Sequence, residues 1–114
     1  MLKTTEELQQ EKTMLKAKYG RVETIIAPIE EDENGMDCAY ATIYLKKHDR
    51  ILISIVAKLA TGPDPLKAVE CFLKTTYVGG DDLSLILNND DALMSCEGPV
   101  IELLQKKKAT LIRN

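Results

Sequence analysis

Apolar and polar residues change their spacing several times along the chain, and each change predicts a boundary between structural elements. Residues 4–18 are rich in Glu, Gln, Lys, Leu and Met, and Thr4 and Glu7 have the spacing of a capping box. This pattern predicts a helix that Gly20 ends. Its apolar positions form only a thin stripe, which suits either a peripheral helix of the fold or a helix that packs against a partner.

The segment that follows this helix has the pattern of a β-hairpin. Residues 22–26 are rich in β-branched side chains and predict a strand that Pro28 closes. In residues 37–46, every second side chain would lie on the same face of a strand, and either face offers residues that can be half-buried. This segment therefore predicts a second strand. The polar residues 30–35 between them end in an Asn-Gly pair, which turns readily because both residues tolerate positive φ.

Residues 49–60 are ambiguous, because their isoleucines fit the period of a strand as well as that of a helix. We predict a helix, since the apolar run continues to residue 60 and then stops at Thr61, Gly62 and Pro63 as helices usually stop. The run also carries more apolar positions than one buried face needs.

The next helix is predicted to start at Asp64-Pro65. Aspartate caps free N–H groups, and proline lacks the N–H that the first helical turn leaves unpaired in any case. The pair Gly79-Gly80 is predicted to end this helix, and Asp81-Asp82 to cap a short turn after it. A glycine pair before a helix can also bind an anion, but no phosphate-binding motif surrounds this one and two acids follow it.

Two further helices are predicted in the last quarter of the chain. One starts within residues 89–91, and Gly98-Pro99 interrupts it and restarts a final helix. The final helix is predicted to carry Val100, Ile101, Leu104, Leu111 and Ile112.

These elements together predict an α+β fold in a single domain, 1–114. Residues 1–20 form a peripheral helix, residues 21–46 a β-hairpin or small antiparallel sheet, and residues 47–114 a bundle of about four helices. The composition of 45% hydrophobic and 29% charged residues is that of a globular chain long enough to bury its own core.

Charge and cysteine usage narrow the class of protein. The net charge of -3 argues against a nucleic-acid partner, which usually requires a basic surplus. The three cysteines are far apart and indicate neither zinc nor disulfides, so the chain is expected in a reducing compartment, by default the cytoplasm. The N-terminus is charged from its third residue and the most apolar run, 51–57, is too short to span a bilayer, so no signal peptide or membrane contact is expected.

The sequence offers little material for catalysis. His48 is the sole histidine and stands between Lys47 and Asp49, a setting more typical of a surface residue than of a general base. The acidic residues 30–33 lack the spacing of a calcium loop. We therefore predict a protein that is not an enzyme and has no metal or cofactor. A polar pocket converging on His48 would favour the opposite interpretation.

From residue 19 onward the order of motifs resembles the tail assembly chaperones of long-tailed bacteriophages and prophages. The resemblance depends on Lys-Tyr-Gly-Arg-Val at 18–22, Ala-Thr-Ile-Tyr-Leu-Lys-Lys at 41–47 and Asp-Pro-Leu-Lys-Ala at 64–68. It continues with Phe-Leu-Lys at 72–74 and Tyr-Val-Gly-Gly-Asp at 77–81, and a charged helix rich in Leu and Lys follows.

This resemblance implies a definite role. Such chaperones bind the tape measure protein during tail assembly in the host cytoplasm, keep its helices soluble and are absent from the finished particle. That role requires exposed apolar surface. A homo-oligomer is left open. Two groups of residues are candidates for the client-binding surface, with burial in the core as the alternative for each. They are Ile51, Ile55 and Leu59, and Val100, Ile101 and Leu104. The alternative role is that of a minor structural component of a phage tail or neck.

Overall fold

The computed structural model describes residues 2–104, and the structural statements below refer to that part of the chain. Helix α1 (Thr5–Tyr19) begins with the predicted capping box. The Glu7 backbone N–H donates to the Thr4 hydroxyl, and the Thr4 N–H donates to the Glu7 carboxylate, each at 3.2 Å. Gly20 ends the helix with a φ of 79°. The predicted helix is confirmed, and none of its side chains is buried.

Strands β1 (Val22–Glu31) and β2 (Asp37–Lys46) form the predicted antiparallel hairpin. Pro28 does not close the first strand, contrary to the prediction. β1 lies at the edge of the sheet, where a residue without an N–H is tolerated, and Pro28 is paired with Tyr40. The register shifts immediately after Pro28, so its effect is a local irregularity in a longer strand.

Helix α2 (Arg50–Ala60) resolves the ambiguous segment in favour of the helix. The Asp49 side chain caps it by accepting from the Leu52 N–H at 2.8 Å, and Leu52 and Val56 are buried. Helix α3 (Leu66–Thr76) begins one residue later than predicted, because Pro65 is its N-cap and not its first residue. The Asp64 carboxylate accepts from the Leu66 N–H at 3.2 Å.

The chain after α3 departs from the prediction. Residues Tyr77–Gly80 form a short strand, β3, which pairs antiparallel with β2 and gives the strand order β1-β2-β3. Gly79 and Gly80 are therefore ladder residues and not a helix cap. Gly80 has a φ of 99°, and a Cβ there would collide with the backbone carbonyl of Thr42. Glycine is needed because the two backbones approach closely at this point.

Three short helices complete the described chain: α4 (Ser84–Leu87), α5 (Asp90–Ser95) and α6 (Glu97–Leu104). The Asn89 side chain caps α5 as predicted, accepting from the Ala92 N–H at 3.2 Å. The break before α6 comes at Cys96, and Gly98-Pro99 lies inside the first turn of α6. The predicted positions of Leu111 and Ile112 lie outside the described residues.

The sheet separates two layers of helices. Side chains alternate across a strand, so Ile43 and Leu45 point to one face of β2 and Tyr44 to the other. The first face packs on the C-terminal helices, and α1 covers the second, where the Tyr44 hydroxyl donates to the Leu8 carbonyl at 3.0 Å. The fold is thus α+β, as predicted. The largest fully buried apolar side chains are Phe72, Ile43, Leu45, Leu73 and Ile86.

Candidate protein-binding surfaces

The first predicted group of binding residues lies on α2 and is largely exposed. Ile51 is 71% exposed and Ile55 44% exposed, whereas Leu59 is half-buried against the core. Ile53, which the prediction did not include, is 43% exposed. Because Leu52 and Val56 take the buried side of the helix, these isoleucines flank that side and face solvent.

The second predicted group lies on α6 and is divided between core and surface. Val100 is 2% exposed and belongs to the core, so it is not accessible to a client. Ile101 is 44% exposed, and Leu104 is half-buried beside the core. Helix α3 contacts both α2 and α6, so the two groups lie on helices that flank a common helix.

A cavity that the sequence did not predict opens between the sheet, α3 and α6. Its volume is about 340 Å³. Apolar residues from three elements form its floor, and mainly basic residues from the strand ends form its rim. The floor residues are Leu45, Phe72, Leu103 and Leu104, and the rim residues are Arg21, Glu23, Lys46, Lys47 and His48.

His48 lines this cavity. Its imidazole is half-buried and lies against Phe72, with the ring centroids 5.6 Å apart. Among the described residues that line the cavity, Glu23 is the acidic one. Its carboxylate accepts a hydrogen bond from Arg21 Nε at 2.8 Å. The described lining has no serine, threonine or cysteine to act as a nucleophile beside the imidazole.

The cavity therefore favours binding of an apolar group beside positive charge. Among residues 2–104 there is also no cluster of three or more His, Cys, Asp or Glu side chains that could hold a metal ion. A second cavity of about 200 Å³ adjoins the first, because Glu23 and Leu103 line both. Glu102 contributes a further acid to this smaller cavity.

On the opposite face of the sheet, a buried carboxylate connects α1 to the strands. Asp81 is 2% exposed. Its carboxylate accepts from the backbone N–H of Lys3 at 2.7 Å and from that of Thr42 at 2.8 Å. The Tyr77 hydroxyl donates to the Asp81 carbonyl at 2.9 Å, and burial raises the pKa of Tyr77. Asp81 is thus a structural acceptor between distant segments, and of the predicted capping pair only Asp82 accepts from the following turn, from the Ser84 N–H at 3.0 Å.

A second carboxylate extends this connection. Glu11 accepts from the Gly80 N–H at 3.0 Å and from Lys3 Nζ at 2.6 Å, and the hydrogen bond to Glu11 raises the pKa of Lys3. Tyr44 donates to the Leu8 carbonyl, and burial raises the pKa of Tyr44. We call the hydrogen bonds of Asp81, Glu11 and Tyr44 that join α1 and its N-terminal flank to the sheet the polar latch.

The part of the sheet face beside the polar latch is exposed. Ile26 is 62% exposed and Tyr40 48% exposed, and both belong to the set of side chains that points toward the α1 side. This patch contains fewer exposed apolar side chains than the exposed side of α2. It is nevertheless a useful reference surface, because substitutions there leave α2 and the cavity untouched.

Comparison of the chain with models of protein families, with curated proteins and with solved structures finds no match. Within residues 2–104, no helix is both long enough and apolar enough to cross a membrane.

Proposed function

We propose that this protein is a non-catalytic chaperone or scaffold of phage tail assembly, which binds the tape measure protein and keeps it soluble in the host bacterial cytoplasm. The resemblance of its motifs to tail assembly chaperones suggests the role. The structural observation that supports it is the exposure of Ile51, Ile53 and Ile55 on one short helix.

The exposed isoleucines on α2 would gain free energy if another surface covered them. Complete burial of an aliphatic side chain gains roughly 1.5–3 kcal/mol, so covering three partly exposed ones would contribute substantially to binding. Amphipathic helices of a client are a suitable covering surface, because they dock apolar residues at helical spacing into grooves between helices. Nothing in this argument requires a catalytic residue.

Co-expression with the tape measure protein of the same genome tests the proposal. We expect the wild-type chain to increase the soluble fraction of the tape measure protein and to co-purify with it. Ile51→Ser with Ile55→Ser should weaken both effects, because the apolar contact area is lost. The matched control, Ile26→Ser with Met36→Ser, removes two similarly exposed apolar side chains from the hairpin and should behave as wild type.

Failure of the wild-type chain to bind or solubilise the tape measure protein would contradict the proposal. Equal loss in both double variants would show that α2 is not the surface concerned. The alternative role, a minor structural subunit of the tail or neck, predicts instead that the chain persists at stoichiometric levels in purified particles, which mass spectrometry measures.

A further inference from the structure

We propose that the cavity rimmed by Lys46 and Lys47 is a docking site for a protein segment that carries an apolar anchor flanked by acidic side chains. We call it the basic-rimmed cavity, defined by the nine lining residues given above. This inference rests on the proposed function for the identity of the partner. It adds the place where a segment of the client binds and the chemical character of that segment.

The floor of the basic-rimmed cavity favours an apolar anchor. Leu45 and Phe72 are each 1% exposed and form a fixed surface, while Leu103 and Leu104 are half-buried on α6 and leave room above it. A volume of about 340 Å³ is sufficient for apolar side chains of a peptide. Such a side chain would replace water on an already packed surface, which is favourable without rearrangement of the core.

The rim favours acidic neighbours for that anchor. Arg21 and Glu23 pair with each other at 2.8 Å, which leaves the two lysines as the uncompensated charges of the lining. Neither Lys46 nor Lys47 forms an ion pair within the described chain. The whole chain has a net charge of -3, so this rim is a local positive region on an acidic protein. The two lysines attract carboxylates, and an acidic net charge elsewhere favours binding of an acidic segment at this rim over other regions of like charge.

Other occupants fit less well. Nucleic acid would place phosphates beside the lysines, but the apolar floor and the net charge of -3 disfavour it. Residues 105–114 carry four basic side chains and no acidic ones, so their charge does not complement the rim. A protein segment with an apolar anchor and acidic flanks complements both the apolar floor and the basic rim.

Charge reversal at the rim tests the proposal with designed peptides. The probe is a fluorescent amphipathic helical peptide with leucines on one face and glutamates flanking them, compared with the same peptide in which lysines replace the glutamates. We expect wild-type protein to bind the glutamate peptide at least about tenfold more tightly than the lysine peptide. Lys46→Glu with Lys47→Glu should reverse this order, as measured by fluorescence anisotropy.

Lys16→Glu with Lys67→Glu is the control, since both lysines are exposed, lie outside the cavity lining and produce the same change in net charge. It should retain the preference of the wild type. Circular dichroism of both double variants establishes that they are folded. Equal affinity of wild type for the two peptides, or the same shift in both double variants, would overturn the proposal. So would binding that follows self-association in sedimentation, because a second copy would then be the occupant.

The same variants separate this inference from the proposed function. If wild type and Lys46→Glu with Lys47→Glu co-purify equally well with the tape measure protein, the docking site is wrong and the chaperone role stands. If the glutamate peptide binds as expected but the tape measure protein never does, the docking site stands and the proposed function is wrong.

Discussion

The two faces of the three-stranded sheet are covered by helices through different interactions. On one face, Phe72 and Leu73 of α3 are buried with Ile43 and Leu45 of the sheet in a continuous apolar core. On the other face, α1 buries no side chain and is held by the polar latch. The first layer is stabilised mainly by the area it removes from water, whereas the second combines the half-buried Leu8 and Leu15 with a few correctly placed donors and acceptors.

This difference indicates how each layer responds to change. An apolar core loses stability when volume is removed from it, by an amount that depends on the cavity left at that site. A layer held by hydrogen bonds depends on individual atoms, and loss of one buried acceptor leaves its donors without partners. The α1 layer should therefore open locally before the rest of the molecule unfolds.

Removing core volume should have the largest effect. Leu73→Ala deletes a side chain with 0% exposure, and we expect a loss of about 2–5 kcal/mol in the free energy of unfolding. Urea denaturation followed by circular dichroism measures it. Ile55→Ala, on the exposed side of α2, is the control and should cost much less. Similar costs for both would contradict the distinction between core and surface.

Removing the buried carboxylate should have the next largest effect. Asp81→Ala leaves the backbone N–H groups of Lys3 and Thr42 without their acceptor, at a cost of about 1–3 kcal/mol. Hydrogen exchange should show faster exchange in α1 with little change in α3. The neighbouring Asp82→Ala removes only an exposed hydrogen bond to Ser84 and should leave α1 protected. Uniform acceleration across both layers would show that α1 is not an independent layer.

A smaller effect is expected from the partly exposed ion pair of the polar latch. Glu11→Gln keeps an oxygen to accept from Gly80 but removes the charge opposite Lys3, so the expected loss is about 0.5 kcal/mol and should shrink in high salt. Glu6→Gln on the same helix is the control. A loss as large as that of Asp81→Ala would mean that the charge of Glu11, and not its hydrogen bond, holds α1.

The smallest effect on stability is expected at alkaline pH. The pKa of Tyr44 and that of Tyr77 are raised by burial above the ordinary value of 10.0. The protonated phenols therefore contribute stability that is complete below the unfolded pKa and is lost as the pH rises through the folded pKa. Stability should fall above about pH 10, and Tyr44→Phe should make that fall less steep. An identical pH profile in the variant would contradict the contribution of Tyr44.

Local sequence is sufficient to predict an element wherever interactions between neighbouring residues determine that element. The bounds of β2 at Asp37 and Lys46 follow from alternation, and the start of α1 follows from the spacing of Thr4 and Glu7. The helix at α2 was recognised because its apolar run ends in a helix stop. In each case the interactions that form the element lie within a few residues.

Contacts between distant residues account for what was missed. Gly79-Gly80 has the local pattern of a helix end, yet Gly80 pairs with Ile43 of β2. The basic pair Lys46-Lys47 ends one of the sequence motifs, but no neighbouring residue indicates that it shares a cavity with Phe72 and Leu103. Likewise the sequence allowed Val100 to be either core or surface, and the packing of α6 against α3 and α5 places it in the core.

The sequence by itself determined most of the elements of this protein, because capping, alternation and helix stops act over short distances. Tertiary structure decided the third strand, the polar latch and the basic-rimmed cavity. Each of these requires groups that are far apart in the chain to come together, such as Asp81 with Lys3 and Lys46 with Leu104. The free energy of such contacts depends on distance and burial, which no local pattern records.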